Sequence, residues 1–260
     1  MKKENRMNIL ICNDDGISAK GIQELAKALS GCGKIYVFAP DGQRSASGHS
    51  ITIKDSIFAC EAEFPFAEKA WKVGGTPADC VKIGLEILRQ QGISVDMIFS
   101  GINHGANLGT DVLYSGTVSA AVEGALNKIP SVALSVYEHK PTHFEAACRM
   151  AVQACRLGAD RLPCRNVLNI NVPDLPEADI KGVKITRLGP REYEEWFCPQ
   201  EVEEGPPLYI YAGEPVWYTD LPENMDVVAA QEQYISVTPI HFDLTDHALR
   251  REVEKWGFQF

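Results

Sequence analysis

The sequence predicts an α/β fold: a three-layer, Rossmann-like, doubly wound and mostly parallel sheet. Two observations carry that reading. Short continuous apolar runs alternate with segments whose apolar residues recur at helical spacing, up to about residue 175. The joins between them are short, and the polar, Gly-rich stretches follow the strand ends, where open parallel sheets bind ligands. Beyond residue 175 the alternation breaks into an irregular, β-rich C-terminal arm that closes on a terminal helix.

Met7 to Cys12 is an apolar run ending at a turn, as a parallel strand buried on both faces requires. Ile22, Leu25, Ala26 and Leu29 then recur at helical spacing, and Gly31-Cys32-Gly33 stops that helix. Lys34 to Ala39 is a second buried strand closed by Pro40-Asp41-Gly42, which completes a βαβ unit. Ile51-Thr52-Ile53 and Ile57-Phe58-Ala59 read as short strands of a hairpin. Thr76-Pro77-Ala78-Asp79 reads as a helix start, with Thr76 as cap and Pro77 at the first helical position. Val81, Leu85 and Leu88 continue its inner face. Val95 to Ser100 is a third buried strand, followed by a long Gly- and Asn-rich loop to Thr117 and a helix through Val118, Ala121, Val122 and Ala125. A strand over 132–136, a helix over 144–157 and a strand over 167–172 follow. In the arm, Tyr209-Ile210-Tyr211 and Trp217-Tyr218 suggest a hairpin, Tyr234 to Thr238 a strand, and Thr245 to Trp256 a helix. We therefore expect one domain spanning 1–260, with a core of about 7–188 and an oligomerisation arm of about 189–260.

Composition narrows the function. The 260 residues are 45% hydrophobic and 23% charged, which argues against disorder. A formal net charge of −10 disfavours neutralising a nucleic-acid polymer, and it means that an anionic substrate would need a local positive charge, which a bound metal supplies. The eight cysteines show no C-x-x-C and no zinc-ligand spacing, and they fit a reducing, cytoplasmic compartment. The basic start, Met1 to Arg6, precedes an apolar run too short for a secretory core, and no segment is long enough to span a membrane.

Chemistry concentrates in three post-strand loops. Asn13-Asp14-Asp15-Gly16 sets two adjacent carboxylates at a strand tip, an arrangement that a hard divalent cation relieves and that a capped turn would also explain. Residues 41–50 offer Arg44, Ser45, Ser47 and His49, where a hydroxyl can complete an oxygen shell and an arginine can grip phosphate; an ordinary solvated loop has the same composition. Ser100 to Gly109 leads to Tyr114-Ser115-Gly116-Thr117. Here Asn103 can serve a metal or a phosphate, and the helix start at Ser115 to Thr117 favours an anion or is simply a cap. The length of that loop favours function, as does the convergence of all three at successive strand ends.

These residues resemble the SurE survival-protein nucleotidases. The resemblance rests on Asn13-Asp14-Asp15-Gly16, Ala39-Pro40-Asp41 with Arg44-Ser45, Gly75 to Cys80, Ser100 to Gly109 and Tyr114 to Val118. It continues through Leu168-Asn-Ile-Asn-Val-Pro173 and Tyr234 to Ile240 and covers nearly the whole chain in order, most thinly over 190–230. It implies a 5′/3′-nucleotidase acting on nucleoside monophosphates, some members also trimming short polyphosphate. It implies one divalent metal, Mg²⁺ or Mn²⁺, held by Asp14, Asp15, Ser45 and Asn103, with phosphate contacts from Asn103, Ser115, Gly116 and Thr117. It further implies a cytoplasmic homodimer or homotetramer whose C-terminal segments exchange; the acidic net charge and the lack of a spanning segment leave no role for a nucleic-acid polymer or a membrane. The position after Asn103 varies among relatives, so His104 takes no role by analogy, and residues 1–6 exceed the usual start as an extension.

The mechanism this suggests is metal-assisted phosphoester hydrolysis, with Asp14 orienting or deprotonating water and Asn103 and the Ser115–Thr117 helix start stabilising charge. A covalent aspartyl route is disfavoured because Gly16 stands where a second Asp is expected. The alternatives are a Mg²⁺-binding receiver-like module, which needs an Asp where Ser100-Gly101 stands, and a non-catalytic nucleotide binder, which lacks both glycine-rich phosphate fingerprints.

Overall fold

Apolar runs become buried strands, and their polar flanks become the loops that carry the site. The structure, a computed structural model, describes residues 6–194, 197–202, 205–211, 213–216 and 218–259. Strand β1 (Met7–Cys12) buries its last four residues. Helix α1 (Lys20–Leu29) lays Ile22, Leu25, Ala26 and Leu29 inward, and β2 (Gly33–Pro40) follows. Then come β3 (Ala59–Ala62), β4 (Lys69–Val73), α2 (Pro77–Gln90), β5 (Met97–His104), α3 (Gly116–Leu126), β6 (Ser131–Val136), α4 (Glu145–Gly158) and β7 (Asn166–Val172). The C-terminal part contributes β8 (Val183–Ile185), β9 (Tyr193–Glu194), β10 (Phe197–Gln200), β11 (Leu208–Tyr211), β12 (Glu214–Pro215), α5 (Asp226–Gln231), β13 (Ile235–His241) and α6 (His247–Val253).

Among the described residues the main sheet has nine strands in the order β3-β4-β2-β1-β5-β6-β7-β13-β8. From β4 through β7 every neighbouring pair is parallel, whereas β3 pairs antiparallel with β4 and β13 antiparallel with β7. The chain winds outward in both directions from β1 and β5, so the topological switch point lies between those two strands. Helices α1 and α4 pack on one face over Ile9, Ile11, Val37 and Phe99. Helices α2 and α3 pack on the other over Leu10, Cys12, Phe38 and Ile98. Burying each such side chain contributes roughly 1.5–3 kcal/mol. Phe38 and Trp71 add a stacked pair with ring centroids 4.3 Å apart.

Several elements differ from the sequence reading, each for a local reason. Residues 51–53 form no strand: the Thr52 N–H donates to Asp79 at 3.0 Å instead of to a neighbouring chain. The hairpin on this side is β3 with β4, and β4 was missed because Lys69-Ala-Trp-Lys-Val73 is short and mixed in polarity. Strand β5 runs on to His104, past the expected end at Ser100, because its ladder with β6 slips register between Ser100 and Asn103 and then resumes. Tyr209 to Tyr211 pairs with Phe197 to Pro199 of β10; of the partner expected from the sequence, Trp217 lies outside the described residues. Residues 1–5 of the expected extension also lie outside them. Strand β13 comes from beyond residue 188 and is set between β7 and β8 in the main sheet.

Candidate active site

At the carboxyl end of β1, Asn13 turns the chain by donating Nδ2 to the Gly16 carbonyl at 2.9 Å, which leaves Asp14 and Asp15 standing at the strand tip. The neighbouring loops are bolted to this turn by backbone bonds. Ile17 N–H donates to the Pro40 carbonyl at 2.9 Å, and Arg44 N–H to the Asp14 carbonyl at 2.7 Å, which places the Ser45 stretch beside Asp14. From β5, the His104 N–H donates to Asp15 Oδ2 at 3.1 Å, so the residue next to Asn103 is tied to the second carboxylate.

Helix α3 closes the third side. Ser115 is its N-cap, accepting from the Val118 N–H at 3.0 Å. Thr117 is fully buried and donates its hydroxyl to Asp14 Oδ1. Gly116 leaves no room for a side chain: a Cβ there would lie 2.8 Å from Asp14 Cβ and 2.9 Å from Ser47 Oγ. Asp14 and Ser47 therefore both press against the first turn of α3.

Asn103 owes its position to the slip in β5. Gly101 there has φ +134°, and a Cβ would come within 2.2 Å of the Leu134 carbonyl oxygen, so a side chain is excluded. Asn103 then donates Nδ2 to the Gly105 carbonyl at 2.8 Å, an arrangement that leaves its Oδ1 as the free end of the amide. The loop that follows is knotted onto β6 and β7. Asn107 donates Nδ2 to Ser135 Oγ at 2.8 Å and its backbone N–H to Asn171 Oδ1 at 2.8 Å. Its carbonyl accepts from Asn169 and Asn171 at 2.8 and 3.0 Å. Further on, fully buried Asp226 accepts from the N–H groups of Gly109 and Gly189, each at 2.8 Å.

The electrostatics show an unmet need for positive charge. Burial pushes the Asp14 carboxyl up to about 6; the Thr117 hydrogen bond opposes this and the Asp15 charge adds to it. Burial also raises Asp15, with the His104 N–H and ring acting the other way. Buried polar atoms with no protein partner include Asn13 Oδ1 and Ser47 Oγ on the loops after β1 and β2, and Ser100 Oγ and His104 Nε2 in β5. Among the described residues no three or more His, Cys, Asp and Glu gather as a metal cluster. Asp14, Asp15, Ser45 and Asn103 could between them offer two carboxylates, a hydroxyl and an amide oxygen, oxygen donors of the kind a hard divalent cation takes.

Asp14, Thr117 and Gly116 touch, Asp15 is bound to the residue beside Asn103, and Ser45 is exposed and accepts from Gln43 Nε2 at 2.9 Å. Arg44 is paired with Asp41 at 2.9 Å. Glu123 and the Asn107 knot were not found by reading the sequence, nor were the contacts of Ser47 with the first turn of α3 and of Asp79 with Thr52. A signal for some of them was present: Glu123 is the one charged residue of α3, and Asn169 and Asn171 alternate with the apolar residues in the second half of β7.

Fold and site together define a doubly wound α/β protein with an acidic, oxygen-donor centre at the switch point of its sheet. The Survival protein SurE family model matches residues 9–195. A 5′-nucleotidase SurE of Syntrophomonas wolfei is 46% identical over 256 residues, 98% of this chain and 96% of its own. A 5′-nucleotidase SurE of Pelotomaculum thermopropionicum is 44% identical over 250 residues, 96% of this chain and 95% of its own. The crystal structure of the SurE protein from Aquifex aeolicus superposes with a TM-score of 0.83 at 36% identity, over 95% of this chain and 98% of that one. The chain belongs to the SurE family.

Proposed function

We propose that this protein is a divalent-metal-dependent phosphomonoesterase that hydrolyses nucleoside 5′-monophosphates to nucleoside and phosphate, with 3′-monophosphates and short polyphosphate as further substrates. The observation that carries the reading is the pair of adjacent carboxylates at the tip of β1, buried Asp14 and half-buried Asp15, whose carboxyls burial drives upward against the opposing hydrogen bonds and, for Asp15, the His104 ring. The names of the curated relatives support the nucleotide substrate.

In this reading Asp14, Asp15, Ser45 and Asn103 hold one Mg²⁺ or Mn²⁺, and Asn103, Ser115, Gly116 and Thr117 receive the phosphate. The metal, when bound, supplies Lewis-acid polarisation of the phosphoryl group and a more acidic water. Asp14 takes the proton of the attacking water. Thr117 orients Asp14 through its hydroxyl, and Gly116 allows the helix start to come within reach. Asn103 donates to the equatorial oxygens as charge builds on them.

The arm of about 189–260 serves assembly into a homodimer or homotetramer. Exposed Phe197, Leu208, Tyr209 and Tyr211 on its hairpins, with Trp256 and Phe258 at its end, support that use. Eight free cysteines support a cytoplasmic setting, and among the described residues no helix is long and apolar enough to cross a membrane.

The test is phosphate release from a panel of nucleoside monophosphates with Mg²⁺ or Mn²⁺, and again with EDTA. Release that chelator removes and metal restores is the expected result. No release from folded protein with any metal would overturn the reading.

A further inference from the structure

The segment between β2 and β3 has no regular secondary structure and is largely exposed, yet it carries Ser45 and brings Ser47 against the first turn of α3. Something outside the segment must fix it. Its start is held by Arg44 N–H on the Asp14 carbonyl, and its middle by Gly48 N–H on the Tyr114 carbonyl at 2.9 Å. Its far side is held by Thr52 on Asp79 and by the Ser50 carbonyl, which accepts from Thr76 Oγ1 at 2.7 Å. Between these lies a bond of a different kind, His49 Nε2 to Glu123 Oε2 at 3.1 Å.

Glu123 is unusual for its place. Helix α3 is otherwise built of Gly, Ala, Val, Leu, Thr and Ser, and nearly all of it is buried. A carboxylate whose side chain is only 5% exposed costs desolvation that an apolar residue would avoid. This one is compensated by three donors from three directions: His49 from the loop, Lys82 Nζ from α2 at 3.1 Å, and Asn127 Nδ2 at 2.8 Å from the end of α3. Those contacts keep it ionised by holding its carboxyl below the usual range against the opposing effect of burial. Helix packing alone would be served by a leucine. What the carboxylate adds is a fixed attachment for His49 on the same rigid helix whose first turn touches Asp14.

We propose that Glu123 and His49 form a latch, with both as positioning residues: Glu123 holds His49, and His49 holds the Ser45–Ser47 stretch in register with Asp14 and the start of α3. The inference rests on the metal-site reading of Ser45 given above. It assigns neither residue a contact with substrate or metal.

The test compares wild type with His49→Ala and His49→Gln, the latter keeping an N–H donor for Glu123. Glu123 itself is left intact so that Lys82 and α2 stay paired. Hydrogen exchange of residues 44–50 is measured in EDTA, and Mn²⁺ affinity is read from thermal shifts. His49→Ala should exchange at least ~10-fold faster over 44–50 and weaken Mn²⁺ binding ~10–100-fold, the range for residues that orient ligands from behind. KM for nucleotide should rise with the far-UV spectrum unchanged, and His49→Gln should recover most of each loss. Unchanged exchange in His49→Ala would overturn the latch. Faster exchange with wild-type Mn²⁺ affinity and KM would overturn the positioning role. Wild type that binds no Mn²⁺ would instead sink the metal reading, and exchange and KM would still decide the latch.

Discussion

The Thr117 hydroxyl donates to Oδ1 of Asp14, so the carboxylate at the tip of β1 is held by the first turn of α3. The bond joins elements distant in sequence, and Gly116 beside it permits the close approach. A carboxylate at a helix start gains from the free N–H groups and the dipole. That gain is too small here to offset burial, since Asp14 still sits well above the usual range. The site stores this cost when no cation is bound.

Asp14→Asn should therefore divide activity from stability. Turnover of a nucleoside monophosphate should fall at least ~100-fold with the loss of the base. In EDTA the variant should melt higher than wild type, because the raised carboxyl represents on the order of 3 kcal/mol of unfavourable burial. Each kcal/mol is worth about 2–4 °C in a chain of this size. Near-normal turnover would remove Asp14 from the chemistry, and an unchanged or lower melting point in EDTA would contradict the electrostatic account.

The same carboxyl fixes a pH dependence. It titrates at about 6 in the folded protein against 3.8 for an unperturbed aspartate, so the metal-free fold takes up its proton first as the pH falls. The stabilisation is then fully present below 3.8 and is lost as pH rises through about 6. The gap in melting temperature between Asp14→Asn and wild type in EDTA should be wide near pH 7.5 and narrow towards about pH 5. A gap that stays constant across that range would show that Asp14 does not titrate there.

Gly116→Ala tests the approach of helix to carboxylate. Alanine is the better helix former by about 1 kcal/mol, so α3 itself should not weaken. Its Cβ would sit 2.8 Å from Asp14 Cβ and 2.9 Å from Ser47 Oγ, distances that force one of them away. We expect kcat/KM to drop by roughly 10–100-fold with the far-UV spectrum intact, as small misplacements of reacting groups do. Wild-type kinetics would mean that the first turn of α3 does not set the position of Asp14.

Much of this was legible in the sequence because central parallel strands must be apolar on both faces. Met7 to Cys12 and Val132 to Val136 announce themselves, and the loops after them are where chemistry must lie. The GTPAD stretch was legible as a helix start, and the capping box between Thr76 and Asp79 forms. What stayed hidden was long-range. The second use of Asp79, accepting from Thr52, depends on a loop returning from another part of the chain. The continuation of β5 to His104 depends on a register slip against β6, and the pairing partner of β11 depends on which of several short strands lies nearest. Local pattern carries none of that information.

The Asn107 knot gives the most direct test of what holds the long loop between β5 and α3. Fully buried Asn171 both accepts from the Asn107 N–H at 2.8 Å and donates to its carbonyl at 3.0 Å. Asn171→Leu is close in volume but strips the partner from a buried N–H, whereas the carbonyl keeps Asn169. An orphaned buried donor costs about 1–3 kcal/mol, so the urea midpoint should fall while the denaturant slope stays the same. Because the loop ends at Ser115, the cap of α3, loosening it should also raise KM for the nucleotide more than it lowers kcat. A variant with the wild-type urea midpoint would show that water or a shifted backbone satisfies the Asn107 N–H. A lower midpoint with unchanged KM would show that the knot serves the fold alone, and that the position of Ser115 is set by α3 and its contacts with Asp14.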